Sequence, residues 1–305
     1  MIATTEYERL REAAGLVDRS YRGKLRFTGA EAADYLQGQV TNDVESLAPG
    51  TGCYATLLTP KGQVVADMRI LRGEDFIWVD CEPRSLPALT RNAEMYSIGR
   101  DVQTVDATAG YAILSLIGPA ARAALDAAPG AAEHAWVDGE HGMYVATDVG
   151  VDVICRAAEA DAARAALGVE EASEEAAECL RIESGRPRLG LEIAGGVIPQ
   201  EAGLNDRAVS FSKGCYVGQE TVARLFYKGK PNRHLRGLRL SEPAATGDEV
   251  TFGERVVGKV GSAAVSPAHG PIALAILRRE VAPGDHVKVG AARADAQVAD
   301  LPFRE

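Results

Sequence analysis

The chain contains few cysteines, and their spacing indicates no structural role. Five of its 305 residues are cysteine, an odd number, and no CxxC pair occurs among them. A disulfide framework needs paired cysteines, and a structural zinc site needs closely spaced ligands. The five histidines also show no paired-ligand spacing. We therefore expect no resident metal ion and a reducing, cytoplasmic environment.

The chain also lacks long hydrophobic runs and a basic surplus. No stretch approaches the roughly 20 apolar residues of a membrane span, and the charged, mixed N-terminus does not resemble a secretory signal. The net charge is −10 and the isoelectric point is about 5.2. We therefore expect no membrane contact and no direct binding of nucleic acid through a basic surface.

One segment departs from this acidic balance. Between Arg224 and Arg239 the chain carries six Lys or Arg residues and no acidic residue. Two interpretations remain open, a solvated strand face or a local anion site. The residues that would form the anion site are Arg224, Lys228 and Lys230.

Length and patterning predict two domains, residues 1–230 and 231–305. The first mixes strand and helix signals. In the second, short β-like runs alternate with Gly and Pro turns, which predicts a barrel or a sandwich. Two turns of this second domain, TGDEV (246–250) and PGDHV (283–287), are alike, although they are too short to establish a repeat.

Local signals predict the elements of the first domain. Thr28 and Glu31 suggest a capping box for a helix closed by Gly38. YATLLT (54–59) and VVADMRIL (64–71) flank a Pro-Gly turn and predict a hairpin. The other predicted elements are strands at 24–28, 111–118 and 151–155, and helices from Ser85, from Pro119, at 157–167 and at 174–184.

The helix at 174–184 carries the first candidate site residue. Cys179, Leu180 and Glu183 recur at helical spacing and predict one inward face. An ionised carboxylate at the end of an apolar stripe is costly unless it is partnered. Glu183 is therefore either paired with Arg186 or Arg188, or held to accept N–H groups from a ligand.

The motif KGCYVGQE carries the second candidate. Flanking glycines should leave the thiol of Cys215 unobstructed, and the nearby ammonium of Lys213 should favour the reactive thiolate. The alternative is a small cysteine on a tight turn. The remaining residues of the motif are Gly214, Tyr216, Gly218, Gln219 and Glu220.

Further motifs form an ordered series with KGCYVGQE, namely VDRSYRGKLRFTG (17–29), Thr41-Asn42-Asp43, RIESGRPRLGLE (181–192) and IPQEAGL (198–204). This series resembles the YgfZ branch of the YgfZ/GcvT family, whose members are folate-binding relatives of the glycine-cleavage T-protein implicated in iron–sulfur enzyme maturation.

The resemblance implies an α+β fold, in which a T-protein-like region of α/β subdomains surrounds a central folate channel (1–230) and a small β-barrel follows (231–305). It also implies tetrahydrofolate or a derivative as cofactor, iron–sulfur proteins or cluster-assembly factors as partners, and an indirect effect on tRNA modification.

The resemblance also suggests roles for individual residues. Glu183 occupies the position of a glutamate that hydrogen-bonds the pterin. The T-protein hairpin strand carries an Asp-Asp pair; taking its first aspartate as catalytic, the matching residues here are Ala66 and Asp67. Ala66 supplies no carboxylate at the position taken as catalytic. Because strand alternation places Asp67 and Arg69 on the other face of the strand, Asp67 cannot substitute for the missing aspartate. We therefore expect no aminomethyl transfer. Asp67 and Arg69 would either line the folate site or form a solvated pair.

Three function classes follow from these observations. The first is a folate-binding accessory protein for iron–sulfur cluster assembly, in which Cys215 supplies one cluster ligand or reacts transiently. The second is a tetrahydrofolate-dependent aminomethyltransferase, disfavoured by Ala66. The third, an RNA-binding protein, is disfavoured by the net charge of −10. In the first class Arg224, Lys228 and Lys230 would pair with the glutamate tail of folate.

Overall fold

The computed structural model describes residues 4–304, which divide into two compact units. The two-sheet unit comprises Glu8–Ser173 and Asn205–Gln219, and the barrel unit comprises the remaining described residues. The predicted domain boundary at residue 230 remains a prediction, although the barrel itself begins at Arg233. None of the helices within residues 4–304 is long and apolar enough to cross a membrane.

The described residues form seven α-helices and sixteen strands. The helices are α1 (Thr4–Glu12), α2 (Ala32–Gln39), α3 (Leu86–Tyr96), α4 (Ala160–Leu167), α5 (Glu174–Glu183), α6 (Asn205–Ala208) and α7 (Gln219–Lys228). The first ten strands are β1 (Gly15–Asp18), β2 (Gly23–Thr28), β3 (Thr51–Leu58), β4 (Val64–Arg72), β5 (Ile77–Cys81), β6 (Gln103–Asp106), β7 (Tyr111–Ile117), β8 (Trp136–Gly139), β9 (Gly142–Ala146) and β10 (Gly150–Arg156). The last six are β11 (Arg233–Leu240), β12 (Glu249–Phe252), β13 (Arg255–Ser266), β14 (Gly270–Arg278), β15 (His286–Val289) and β16 (Ala294–Ala299).

The two-sheet unit is built from a pair of five-stranded sheets, ordered β3-β4-β5-β2-β6 and β1-β7-β10-β9-β8. Strand alternation gives the first sheet two different faces. On one face Ala66, Met68 and Ile70 of β4 belong to an apolar cluster that includes residues of α2 and α3. On the other face Leu71 and Trp78 pack with apolar residues of the second sheet.

The barrel unit contains a closed barrel in the order β11-β14-β13-β12-β15-β16. Alternation in β14 again separates two apolar sets, because Ala273, Ala275 and Leu277 belong to the cluster inside the barrel. Ile272 and Leu274 face outward and pack with Ile182 of α5. The predicted α+β class with a C-terminal β-barrel is therefore confirmed.

The two similar turns of the barrel share one hydrogen-bond pattern. Asp248 accepts a side-chain hydrogen bond from the Ala245 backbone N–H, and Asp285 accepts the same bond from Ala282, each at 2.8 Å. Gly247 and Gly284 both have a left-handed φ, of 92° and 95°. The sequence likeness therefore reflects one turn geometry used twice.

Most predicted elements of the first domain are confirmed, with two exceptions. Thr28 is the last residue of β2 rather than a helix cap, because the carboxylate of Glu31 accepts a hydrogen bond from the backbone N–H of Asp101 at 2.6 Å instead of closing a capping box. The segment after Pro119 forms a single 3₁₀ turn, Ala121–Ala124, rather than an α-helix. The elements of residues 4–230 that were not predicted are helices α1, α6 and α7 and strands β1, β5, β6, β8 and β9.

Candidate functional site

Cys215 lies in the irregular segment that joins α6 to α7, and its side chain is exposed. The other four cysteines are buried or half-buried. Burial raises the pKa of Cys53, Cys81 and Cys179 to about 12 in each case, and it also raises the pKa of Cys155. Since the thiolate is the nucleophile and metal ligand, Cys215 is the sulfur that solvent and reagents can reach.

Lys213 anchors the segment that carries Cys215. Its side chain is 9% exposed, and its ammonium donates hydrogen bonds to the backbone carbonyls of Gln37, Val40 and Asn42 at 2.6, 2.7 and 2.9 Å. Cations at a helix C-terminus satisfy carbonyls that the helix leaves open, and these carbonyls lie at and just beyond the end of α2. Burial lowers the pKa of Lys213 to about 8, whereas the three carbonyls favour its protonated form.

This geometry corrects the expected role of Lys213. An ammonium has three protons, and all three are engaged by carbonyls. Lys213 is therefore a structural anchor rather than a cation placed to stabilise the thiolate of Cys215. The ring of Tyr216, which is buried, lies 5.1 Å from the same ammonium, and this cation–π contact adds to the anchor.

The two glycines of the motif differ in what they permit. Gly218 has a φ of 84°, and a Cβ there would lie 2.5 Å from the carbonyl oxygen of Thr59 in the β3–β4 turn. Gly214 faces open space and has no left-handed φ. Of these two positions, only residue 218 therefore needs to be a glycine. Gln219 begins α7 and donates a long hydrogen bond of 3.5 Å to Gly214, and Glu220 is exposed.

The Thr41-Asn42-Asp43 motif holds neighbouring elements together. Thr41 donates a hydrogen bond to the carbonyl of Ala208 at 2.5 Å. The amide of Asn42 donates to the carbonyls of Tyr54 and Arg207 at 2.9 and 3.2 Å. These contacts join α6 and β3 beside the carbonyls that bind Lys213, so the motif belongs to the platform of the cysteine segment.

Asp67 is buried and bonded to hydroxyl groups. It accepts hydrogen bonds from the Tyr54 hydroxyl at 2.7 Å and from the Ser85 hydroxyl at 3.2 Å. Burial raises the pKa of Asp67, while the hydrogen bond from Tyr54 opposes that rise. Because Asp67 is 7% exposed, the interpretation of a solvated pair with Arg69 is wrong.

Ala66 lies on the opposite face of β4 and is completely buried in the apolar cluster. A carboxylate there would be buried without a polar partner, which is costly. The assignment of this position as the catalytic one is therefore wrong for this chain, because the polar face of the strand carries Asp67. The absence of a carboxylate at residue 66 says nothing against catalysis.

Arg69 belongs to a buried ion-pair network. Its guanidinium donates to Asp80 at 2.7 Å and to Asp152 at 2.6 Å, linking β4 to β5 and β10. Arg22 pairs with the same Asp80 at 3.0 Å. Among the described residues, the Nη2 atom of Arg69 has no hydrogen-bond partner.

A second polar cluster was not predicted from sequence. Arg207 pairs with Glu133 at 2.5 Å and lies over the ring of Tyr54 at 5.2 Å. His134 is 9% exposed, has a left-handed φ of 70°, and its pKa is lowered to about 3 by burial and by the nearby arginines. No local pattern marks these residues, because the cluster combines the segment before β8 with α6.

Glu183 ends α5 and accepts several hydrogen bonds on one oxygen. Its Oε1 atom accepts from the hydroxyls of Tyr7 and Ser266 at 2.8 and 2.5 Å, and from the thiol of Cys179 at 3.6 Å. Within residues 4–304 Glu183 forms no salt bridge with Arg186 or Arg188, the alternative considered above, and Arg188 pairs with Glu174 and Glu178 instead. Glu183 is half-buried rather than fully inward.

The basic run divides into residues with different surroundings. Arg233 pairs with Glu201 at 2.7 Å, and Arg239 donates to the Arg304 carbonyl at 2.6 Å. Arg224, Lys228 and Lys230 are exposed. The predicted site residues thus fall in both units, with Asp67, Arg69 and residues 213–219 in the two-sheet unit. Glu183, Glu220 and the three exposed basic residues lie in the barrel unit.

Comparison with known proteins identifies the family. Residues 1–150 match the model of the GCVT N-terminal domain, and residues 233–304 match that of the glycine cleavage T-protein C-terminal barrel domain. An aminomethyltransferase from Rubrobacter xylanophilus is 30% identical, with 98% of this chain and 85% of that protein covered.

Two further matches agree with this. A tRNA-modifying protein YgfZ from Colwellia psychrerythraea is 27% identical, over 77% of this chain and 75% of the relative. The solved aminomethyltransferase T of the glycine cleavage system from Bartonella henselae superposes with a TM-score of 0.88 at 23% identity. That superposition covers 99% of this chain and 89% of the other, which confirms the predicted T-protein-like fold. The chain therefore belongs to the YgfZ/GcvT family.

Proposed function

We propose that this chain is a cytoplasmic, folate-binding accessory protein for the assembly or repair of iron–sulfur clusters, with Cys215 as its working thiol. The observation that carries the proposal is one exposed cysteine on a segment fixed by the buried Lys213 and by Gly218. Iron–sulfur clusters are typically held by four ligands. Cys215 supplies one of them, and a cluster-carrying partner supplies the others.

The surroundings of Glu183 support a reduced folate as ligand. All of the hydrogen bonds that its carboxylate accepts within residues 4–304 fall on Oε1, which leaves the lone pairs of Oε2 to accept N–H groups. A pterin presents such donors, and hydrogen bonds to a carboxylate contribute about 1.5–3 kcal/mol each. Tyr7 and Ser266 orient the carboxylate by holding its other oxygen.

Calorimetric titration with tetrahydrofolate and its 5-formyl form tests this proposal. Glu183→Gln should weaken binding about tenfold or more, because the amide replaces part of the accepting capacity with N–H donors. Glu175→Gln is the matched control, since Glu175 is exposed on the same helix. Unchanged affinity in Glu183→Gln would remove this residue from the site. Failure of the wild type to bind either folate would refute folate binding itself.

A tetrahydrofolate-dependent aminomethyltransferase remains the second candidate, and Asp67 favours it. Burial raises the pKa of the Asp67 carboxyl, which also accepts a hydrogen bond from Tyr54, and a positioned carboxyl of this kind is a typical general acid or base. The test is a coupled assay with tetrahydrofolate and an aminomethylated lipoyl carrier protein. Turnover of about 1 s⁻¹ or more, abolished by Asp67→Asn, would place this candidate first.

A further inference from the structure

A cleft of about 740 Å³ opens on the surface of the barrel unit. Its lining is formed by β13, β14, the start of β11 and two connecting segments, and every lining residue belongs to that unit. Small-molecule sites commonly enclose about 300–1,000 Å³ and combine an apolar lining with a few charged or polar groups. The cleft therefore has room for an organic ligand.

The cleft is separate from the site of Glu183. Ser266, which donates a hydrogen bond to Glu183, is the last residue of β13. The part of β13 that lines the cleft ends at Gly261. Because a strand advances about 3.3 Å per residue, Ser266 lies roughly 15 Å along β13 from Gly261. A ligand in the cleft is therefore additional to the pterin proposed for Glu183.

Apolar side chains form the floor of the cleft. Val197 is buried and Leu191 is half-buried. Ile276 alternates along β14 with residues of the barrel interior, so its side chain points out of the barrel, toward the cleft that it lines. At the margin, Val256 is 42% exposed. A ligand that covers these side chains removes apolar surface from water, which favours an apolar body.

Three basic side chains also line the cleft, those of Arg233, Lys259 and Arg278. Lys259 and Arg278 are exposed. Within the part of the chain that the structure describes, the guanidinium of Arg278 has no hydrogen-bond or ion-pair partner. Lys259 forms a surface pair with Glu249 at 3.6 Å, and exposed pairs of this kind are weak. Both cations are therefore able to bind an anionic group.

The two acidic residues of the lining do not cancel this positive charge, because their carboxylates are engaged. Glu201 accepts hydrogen bonds from the Nε and Nη2 atoms of Arg233 at 2.9 and 2.7 Å. The buried Glu192 accepts a hydrogen bond from the backbone N–H of Arg188 at 3.0 Å and another from the hydroxyl of Ser262. The charge that faces a ligand is therefore mainly that of Lys259 and Arg278.

We infer that this cleft binds a small organic anion with an apolar body. The body covers Val256 and Ile276, and the anionic group pairs with Arg278 and Lys259. An acidic peptide fits less well, because extended peptides commonly bind by adding a strand to a free sheet edge. Gly258 and Lys259 of β13 already pair with β12 on one side and with β14 on the other.

Fluorescence titration with anilinonaphthalene sulfonate tests the inference, with phenylnaphthylamine as the neutral probe that has the same rings. Arg278→Gln should weaken binding of the sulfonate about tenfold or more and leave the neutral probe unchanged. Val256→Asp should weaken binding of both probes. The matched controls are Arg279→Gln and Val265→Asp, at exposed positions outside the lining. Both controls should bind the probes as the wild type does.

Several results would overturn the inference. Equal effects in the cleft and control variants, or no saturable binding of the sulfonate, would remove the site. Binding of the neutral probe as tightly as the sulfonate would remove the preference for an anion. Displacement of the sulfonate by tetraglutamate would assign the cleft to an acidic peptide, and displacement by tetrahydrofolate would remove the second ligand. Thermal unfolding verifies that the variants are folded, and the exposed Arg278 and Arg279 keep the test decisive if Val256→Asp is not.

Discussion

Replacement of Lys213 by methionine separates an anchoring role from an activating one. Methionine keeps most of the aliphatic length and removes the ammonium, so the carbonyls of Gln37, Val40 and Asn42 lose their donor. Hydrogen bonds to charged groups contribute about 1.5–3 kcal/mol each, but such contributions are not additive. Loss of a buried charged partner typically costs about 3–5 kcal/mol. We therefore expect the free energy of unfolding to fall by at least about 3 kcal/mol.

Two measurements distinguish the anchoring role of Lys213 from the activating role. Urea unfolding should give this loss for Lys213→Met, whereas Lys61→Met, at an exposed position of the β3–β4 turn, should stay within about 0.5 kcal/mol of the wild type. The rate of Cys215 alkylation should change little in Lys213→Met, because the ammonium donates its hydrogen bonds to the carbonyls of Gln37, Val40 and Asn42. Wild-type stability combined with slower Cys215 alkylation would refute the anchoring role and restore Lys213 as the activator of the thiol.

Three further predictions concern other residues. Brief, substoichiometric alkylation followed by mass spectrometry should label Cys215 first, because it is the exposed cysteine. Faster labelling of the half-buried Cys53 would contradict this prediction. Gly218→Ala should lower the free energy of unfolding by about 2 kcal/mol or more, because its Cβ would meet Thr59 at a left-handed φ, whereas Gly214→Ala should cost less than about 1 kcal/mol. Since burial lowers the pKa of His134 to about 3, the unfolded chain binds a proton near pH 6.5 that the folded chain does not. Stability is therefore lost as the pH falls from about 6.5 towards 3, by up to about 1.4 kcal/mol per pH unit. In acid unfolding curves His134→Asn, which tolerates the positive φ, should reduce this slope; an unchanged slope would contradict the assignment.

Features with a strong local signal could be predicted from the sequence. The β3–β4 hairpin follows from two alternating runs around a Pro-Gly turn, and the barrel strands follow from short β-like runs between turns. The end of helix α5 was predicted within one residue from the glycine at position 185. This glycine follows the helix and adopts a left-handed φ of 71°, as glycines that end helices commonly do. Helix α7 was not predicted, although Val222, Leu225 and Phe226 lie at the i, i+3 and i+4 positions of an apolar stripe.

The site was harder to predict because its contacts join distant segments. Nothing near Lys213 in sequence indicates that its ammonium reaches the end of α2, and nothing near Asp67 indicates Tyr54 and Ser85 as its neighbours. The alternation of side chains along β4 was predicted correctly, but the burial of Ala66 in the core was not. Val64, Met68 and Ile70 share a face with Ala66, and that all-apolar set already indicated a core position rather than a catalytic one.

The proposed function requires the thiol of Cys215 for iron–sulfur cluster maturation. The most direct measurement is the specific activity of a [4Fe–4S] enzyme in cells whose only copy of this protein is the wild type, Cys215→Ser or Cys53→Ser. We predict that Cys215→Ser lowers this activity to the level of cells without the protein, whereas Cys53→Ser, at a half-buried position, retains it. Full enzyme activity with Cys215→Ser, or no difference between cells with and without the protein, would contradict the account.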